Sequence, residues 1–97
     1  SLVIDNKEYT NENHTFYMDD QLNIMVPVNI LRDALNCSAH VYDGKRLLVE
    51  KHANEVEFSL GASEAKVNGT REVIVSPFIR KDDTYYVSLN DLANYLD

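Results

Sequence analysis

The chain has 97 residues, of which 44% are hydrophobic, and its formal net charge is −7. This length fits one domain with a modest core, and the apolar content is too high for a disordered chain. No apolar run approaches the roughly 18 residues of a membrane-spanning helix, so membrane insertion is not expected. The lysines and arginines form no cluster along the sequence. Nucleic acid is therefore not an expected partner, because it requires a concentrated positive surface.

Frequent turn signals separate short stretches rich in Val, Ile, Leu, Tyr and Thr, a pattern typical of many short strands. The clearest hairpin runs from Ser38–Tyr42 through Asp43-Gly44 into Arg46–Glu50. The Asp-Gly pair predicts a tight turn because both residues tolerate the positive φ angles of type I′ geometry.

A second hairpin is predicted further along the chain. Apolar and polar residues alternate over Val56–Leu60, which predicts a strand with one buried face. Ala65–Val67 then leads through Asn68-Gly69, a second hairpin turn, into Val73–Val75. Pro77 lacks an N–H group, so this last strand should end there or lie at a sheet edge.

Two segments have the apolar spacing of a short amphipathic helix. The spaced positions are Val28, Leu31 and Leu35 in the first segment and Leu89, Leu92 and Leu96 in the second, with Ile30, Ala34 and Ala93 beside them. Pro27 has a fixed φ angle that suits the start of the first helix. Ser88 and Asp91 have the spacing of a capping box at the start of the second, with Asp91 in place of the usual Glu.

The two predicted helices belong to an internal repeat. Residues 25–35 align with residues 86–96, so that Val26 corresponds to Val87 at an offset of 61 residues. We expect units of about 1–60 and 61–97, with the second copy truncated after its helix, and we expect the halves to pack on each other. The predicted fold is a single α+β domain over residues 1–97, made mostly of short antiparallel strands and hairpins with two short helices.

The order of these motifs resembles a known family. The motifs are Met25–Asn29 with the helix that follows, Leu60–Ser63, Val67–Gly69 and Tyr85–Leu89. Together they resemble the copper amine oxidase N-terminal-like domain, also called the stalk domain, of bacterial surface proteins. The chain departs from the family pattern where Asn29 replaces an Arg and where Asn36 replaces the Gly that ends the helix. Asn still accepts the left-handed conformation of that position.

The resemblance implies a non-catalytic accessory domain beside a catalytic or wall-acting domain, without a cofactor. It also implies a bacterial, extracellular or envelope location. Attachment to cell-wall polymer, or spacing of a neighbouring domain, is the function that it indicates. A protein–protein interaction or homodimerisation module is the alternative, favoured by an open strand edge and by a single cysteine.

No catalytic or metal-binding pattern stands out in the sequence. The three histidines, His14, His40 and His52, lack the spacing of shared metal ligands, and Cys37 alone makes neither an intrachain disulfide nor a zinc cluster. The chain has no Gly-x-Ser-x-Gly nucleophile elbow. We therefore expect no metal site, and we rank an enzyme last among the three functions.

The paired acids Asp19-Asp20 and Asp82-Asp83 are interpreted as solvated turns, because neither pair matches a calcium-binding loop.

Aromatic residues supply the only candidate contact sites. Tyr17, Tyr85 and Tyr86 are the predicted ligand or interface contacts, with Phe78 near them by the repeat alignment. Aromatic rings stack on sugars and fill the centres of interfaces. Alternation along a strand places Tyr85 and Tyr86 on opposite faces, so one of the two should be buried in the core.

Overall fold

The computed structural model describes residues 2–10 and 16–96, and within them the fold is the predicted α+β arrangement of short antiparallel strands with two short helices. The strands are β1 (Leu2–Ile4), β2 (Lys7–Tyr9), β3 (Tyr17–Met18), β4 (Ile24–Pro27), β5 (Ser38–Tyr42), β6 (Arg46–Lys51), β7 (Asn54–Ser59), β8 (Glu64–Val67), β9 (Thr70–Val73), β10 (Ile79–Lys81) and β11 (Thr84–Ser88). The helices are α1 (Leu31–Leu35), which continues a 3₁₀ turn over Val28–Ile30, and α2 (Leu89–Leu96).

The strands form three antiparallel sheets. The largest is a meander in the order β5-β6-β7-β8-β9, the second has the order β10-β11-β4-β3, and β1 pairs with β2 alone. Both predicted hairpins are confirmed, since Asp43, Gly44, Asn68 and Gly69 all have positive φ angles at the turns. Short loops with the right turn residues therefore fix the register of the five-stranded sheet.

The four-stranded sheet joins distant parts of the chain. Strands β4 and β11 pair antiparallel, with Val26 opposite Val87, Met25 opposite Ser88 and Pro27 opposite Tyr86. Val26 and Val87 are fully buried, so the central pair of this sheet belongs to the core.

One hydrophobic core lies between the two larger sheets and the helices. The inner face of the five-stranded sheet contributes Leu47, Val49, Val56 and Phe58, all with no exposed surface, and the helices add Leu31, Leu92 and Leu96. Burial of each of these large side chains stabilises the fold by about 1.5–3 kcal/mol.

The small β1–β2 sheet is fastened to helix α1. Tyr9 is buried and its hydroxyl donates to Asp33 Oδ2 at 2.8 Å, while Lys7 Nζ lies 2.9 Å from Asp33 Oδ1. Burial, followed by the hydrogen bond to Asp33, raises the pKa of Tyr9 to about 12. The tyrosine hydroxyl thus stays protonated and donating across the physiological pH range.

Several sequence-based boundaries were wrong. Strand β7 ends at Ser59, so Leu60 lies beyond it and is 39% exposed rather than in the core. Strand β9 ends at Val73, before the predicted Val73–Val75 segment is complete. Pro27, by contrast, lies at a helix start as predicted: it has an extended conformation, ends β4 and is the cap residue of the helical turn. Its missing N–H group suits this position just before the helical turn, where no helical hydrogen bond is needed.

The second helix start was only half right. The N–H group of Asp91 donates to Ser88 Oγ at 3.3 Å, as a capping box requires. The Asp91 carboxylate, however, accepts hydrogen bonds from the backbone N–H groups of Val75 and Ser76, at 2.8 and 3.2 Å. Ala93, expected beside the apolar stripe, is exposed. Tertiary contacts therefore decided the partner of the carboxylate.

Candidate functional site

Tyr85, one of the predicted contact residues, lies at a groove. It is half-buried on β11, and its ring stacks on the buried Phe78 at a centroid distance of 5.5 Å. Its hydroxyl donates to the carbonyl of Gly44 at 3.1 Å, and the guanidinium carbon of Arg80 lies 5.7 Å from the ring centroid. These contacts fix the ring, so it is a rigid wall rather than a mobile aromatic group.

Tyr86 and Tyr17 come together on the opposite face of the same sheet. Their rings meet edge to face at 5.0 Å, and Tyr86 is only 5% exposed. Lys81 Nζ lies 4.4 Å from the centroid of the Tyr17 ring. Burial raises the pKa of Tyr17, with smaller contributions from Tyr86 and Asp19. Strand alternation places Tyr86 on this face, where the Tyr17 ring packs on it, and Tyr17 is the member of this pair that a ligand can reach.

The groove beside Tyr85, called the Tyr85 groove below, has a volume of about 370 Å³. It lies between the helical segment after β4, strand β5 and the β10–β11 hairpin. Its lining residues are Val28, Asn29, Arg32, Ala39, Val41, Asp83, Thr84 and Tyr85. Amide, guanidinium, carboxylate and hydroxyl groups are therefore arranged around an aromatic wall, a combination that can hydrogen-bond a polar ligand.

Strand β5 borders the Tyr85 groove with an open sheet edge. Arg32 donates from Nε and Nη2 to the carbonyl of Ala39, at 3.1 and 2.8 Å, and so covers one outward carbonyl of this edge. Residues two apart on a strand direct their backbone groups to the same side, so the N–H and C=O of Val41 face the open edge as well. The groove therefore offers backbone donors and acceptors in addition to side chains.

The acidic turns behave differently from each other. Asp82 and Asp83 are exposed, and Asp83 pairs with Arg80 at 2.8 Å. Asp20 is exposed too, as a solvated turn requires, but the carboxylate of Asp19 does not simply face solvent. Asp19 Oδ1 accepts from the N–H groups of Gln21 and Asn23, so the interpretation of Asp19 as a solvated acid was wrong.

Asp19 also links two distant segments. Its Oδ2 accepts from the side-chain amide of Asn23 at 3.1 Å and from Ser76 Oγ at 3.1 Å. Hydrogen bonds, above all those from Asn23, hold the pKa of Asp19 below its ordinary value. No sequence motif predicted the contact with Ser76, because it joins residues 57 positions apart.

His40, His52 and Cys37 lie in the described part of the chain. His40 stacks on Tyr42 at 5.9 Å, His52 occupies a turn with a φ angle of 55°, and His14 lies outside the described residues. Burial raises the pKa of the Cys37 thiol, whose Sγ lies 3.4 Å from the carbonyl of Leu31. Over residues 2–10 and 16–96, no group of three or more His, Cys, Asp and Glu side chains is placed to hold a metal ion.

Sequence reasoning found Tyr85 but missed most of its neighbours in the groove. Arg32 and Thr84 carried no motif, and Asn29 drew attention only as a departure from the family pattern.

No helix in the described part of the chain is long and apolar enough to cross a membrane.

The chain matches a known protein family. The model of the family described as copper amine oxidase N-terminal domain matches residues 2–97, which is nearly the whole chain. No curated protein matches the chain.

Proposed function

The chain belongs to the copper amine oxidase N-terminal domain family, and from this premise we propose that it is a non-catalytic accessory module of a bacterial envelope or secreted protein. The N-terminal domain of copper amine oxidases is a non-catalytic accessory domain. The module attaches its protein to cell-wall polymer, or spaces a partner domain, outside the cytoplasm.

The Tyr85 groove is the observation that supports attachment. It combines a fixed aromatic wall with the Asn29 amide, the Thr84 hydroxyl and the Arg32 guanidinium. Such groups bind the hydroxyl and amide groups of a polysaccharide by hydrogen bonds, while the edge of the Tyr85 ring packs on the sugar. Tyr17 is the second contact, on the other face of the sheet.

Sedimentation with purified Gram-positive sacculi tests this function. The protein should pellet with sacculi in the presence of salt, and Tyr85→Ala and Asn29→Ala should each reduce the pelleted fraction. Tyr95→Ala is a matched control, because Tyr95 is another half-buried tyrosine that donates to a backbone carbonyl but lies outside the groove. If the protein does not pellet, attachment to cell-wall polymer is ruled out, and spacing of a partner domain remains as the proposed function. If salt abolishes the pelleting, the protein binds sacculi by charge contact alone, and this result also contradicts binding through the Tyr85 groove.

The open edge of β5 supports a second function, association with another protein chain or with a second copy. Unpaired N–H and C=O groups at a sheet edge are a template for strand pairing. Val41→Pro removes one outward N–H group at this edge. Val73→Pro is its matched control at the other edge of the same sheet, where Tyr95 already donates to the Val73 carbonyl.

Analytical ultracentrifugation over a concentration series distinguishes these outcomes. Self-association through β5 predicts a mass that increases with concentration, that Val41→Pro returns to the monomer and that Val73→Pro leaves unchanged. A monomer at every concentration rules out homodimerisation through this edge.

We also propose that the domain arose from an internal repeat with units of about 1–60 and 61–97. The pairing of β4 with β11 supports it, since Val26 lies opposite Val87, its counterpart at the 61-residue offset. The same offset exchanges the Met25–Ser88 pair with the Pro27–Tyr86 pair, as a local two-fold relation requires.

Met25 and Tyr86 occupy equivalent buried positions in the two units, so exchanging them tests the repeat. Met25→Tyr and Tyr86→Met should each destabilise the fold, and the double variant should recover most of the loss. Strictly additive losses would contradict equivalence of the two positions.

A further inference from the structure

A second groove lies on the solvent face of the five-stranded sheet, away from Tyr17, Tyr85 and Tyr86. Its volume is about 380 Å³, and it spans strands β6 to β9. The charged and hydroxyl side chains that line it are Arg46, Glu57, Ser59, Glu64, Lys66 and Arg71. Three cations from three strands thus meet in one groove of an acidic protein. We call this surface the basic groove.

The arrangement of the cations is unfavourable for the isolated fold. Lys66 lies directly opposite Arg71 across the β8–β9 ladder. Like charges in directly opposite positions destabilise a strand pair. The ion pairs found within the described part of the chain join Lys7 to Asp33 and Arg80 to Asp83, and neither Lys66 nor Arg71 takes part in them. Stability of the sheet therefore does not explain this pair of charges.

One acid of the basic groove is bonded to a residue outside the groove. Glu57 lies opposite Lys66 across the β7–β8 ladder, but its Oε2 accepts a hydrogen bond of 2.7 Å from the Tyr42 hydroxyl. This hydrogen bond is the main reason that the pKa of Tyr42 is raised. Tyr42 thus holds Glu57 toward β5, and Glu64, the other acid, is exposed. The lining residues together carry one net positive charge, whereas the chain carries −7.

We propose that the basic groove binds a phosphate group. Two guanidinium forks, one ammonium group and the Ser59 hydroxyl offer more donors than a two-oxygen carboxylate accepts, and they suit the three or four oxygens of a tetrahedral phosphate. A bound phosphate between Lys66 and Arg71 replaces their mutual repulsion with two attractions. This inference does not rest on the attachment function, since the two grooves share no lining residue.

Small phosphate esters test the proposal by NMR titration of the labelled protein at constant ionic strength, with chloride as the reference anion. Methyl phosphate and dimethyl phosphate represent a monoester and a diester. Binding predicts saturable amide shifts at Ser59, Lys66 and Arg71 with at least one ester. If only the dianionic monoester shifts these amides, the ligand of the groove is a terminal phosphate. If both esters shift them, the groove also accepts a phosphodiester.

Two double variants that change the net charge equally distinguish binding at the basic groove from a general effect of the protein's charge. Lys66→Gln with Arg71→Gln should weaken ester binding about tenfold, which corresponds to ~1.4 kcal/mol. Arg80→Gln with Lys81→Gln, on the other sheet, should leave it within about twofold. Absence of saturable shifts with both esters, or equal weakening by the two double variants, overturns the proposal.

A stability measurement checks that the loss comes from the ligand contact. Lys66→Gln alone should leave the free energy of unfolding unchanged or slightly higher, because it removes a like-charge contact. A clear loss of stability would mean that Lys66 serves the fold, and would overturn the charge argument for the basic groove.

Discussion

The carboxylate of Asp91 accepts the backbone N–H of Val75 at 2.8 Å, and so ties the first turn of α2 to the segment that follows β9. Asp91 has no exposed surface, and its other oxygen accepts from the N–H of Ser76. A buried carboxylate is costly unless it is hydrogen-bonded, and here backbone groups provide the bonds. This residue connects the helix to the chain between the two larger sheets.

Asp91→Ala should therefore lower the free energy of unfolding by about 1–3 kcal/mol, the usual effect of leaving buried donors unsatisfied. Asp91→Asn keeps one acceptor oxygen and should lose less. Urea denaturation of both variants measures the difference. If Asp91→Ala is as stable as the parent protein, water replaces the carboxylate and the tie has no energetic role.

Asp91 and Asp19 should have opposite effects on how the free energy of unfolding changes with pH. Burial, the largest cause, raises the pKa of Asp91 above 3.8, so the folded state binds the proton more tightly and Asp91 lowers stability as pH rises through its folded pKa. The pKa of Asp19 lies below 3.8, so its contribution is present above that value and is lost as pH falls through the folded pKa.

Asp19→Asn should consequently lose less stability than the parent protein on acidification below the ordinary Asp pKa. Asp91→Asn should instead flatten the decline in stability above that pKa. Unfolding in denaturant at a series of pH values measures both slopes. Parallel curves for the Asp19 variant and the parent would show that its hydrogen bonds are equally strong in both protonation states.

Neighbouring tyrosines should respond differently to truncation. Tyr86 is 5% exposed and packs on Tyr17, so Tyr86→Ala should cost about 3–5 kcal/mol, in the range for large aromatic residues in a core. Tyr85→Ala should cost less, because Tyr85 is only half-buried. Thermal or chemical unfolding compares the two. Equal losses would mean that Tyr85 is a core residue, and a loss of sacculus binding in its variant would then report unfolding.

Asn36 ends α1 in the left-handed conformation, with a φ angle of 52°. Asn36→Ala should destabilise the fold by about 1 kcal/mol, because a Cβ without a compensating polar group is unfavourable there. Asn36→Gly, which restores the family's usual residue, should be neutral or stabilising by up to about 0.5 kcal/mol. Equal stability of the Ala and Gly variants in urea would show that the angle relaxes without cost.

Local patterns predicted the elements well where a turn or a helical stripe carried the information. Asp43-Gly44 and Asn68-Gly69 predicted hairpins because their residues accept positive φ angles that others resist. Leu60 was misplaced, since strand ends depend on where the neighbouring strand stops pairing. The site was harder to predict, because its residues come from separate elements.

The sequence by itself determined that this chain forms short antiparallel hairpins with two amphipathic helices, because turn chemistry and apolar periodicity act over a few neighbouring residues. Only the tertiary structure decided that Tyr86 is buried while Tyr85 lines a groove, and that Arg46, Lys66 and Arg71 meet on one face. These relationships depend on the order and register of paired strands. A turn signal fixes the register within one hairpin, but the order in which hairpins pair brings together residues from separate hairpins, and no local pattern encodes that order.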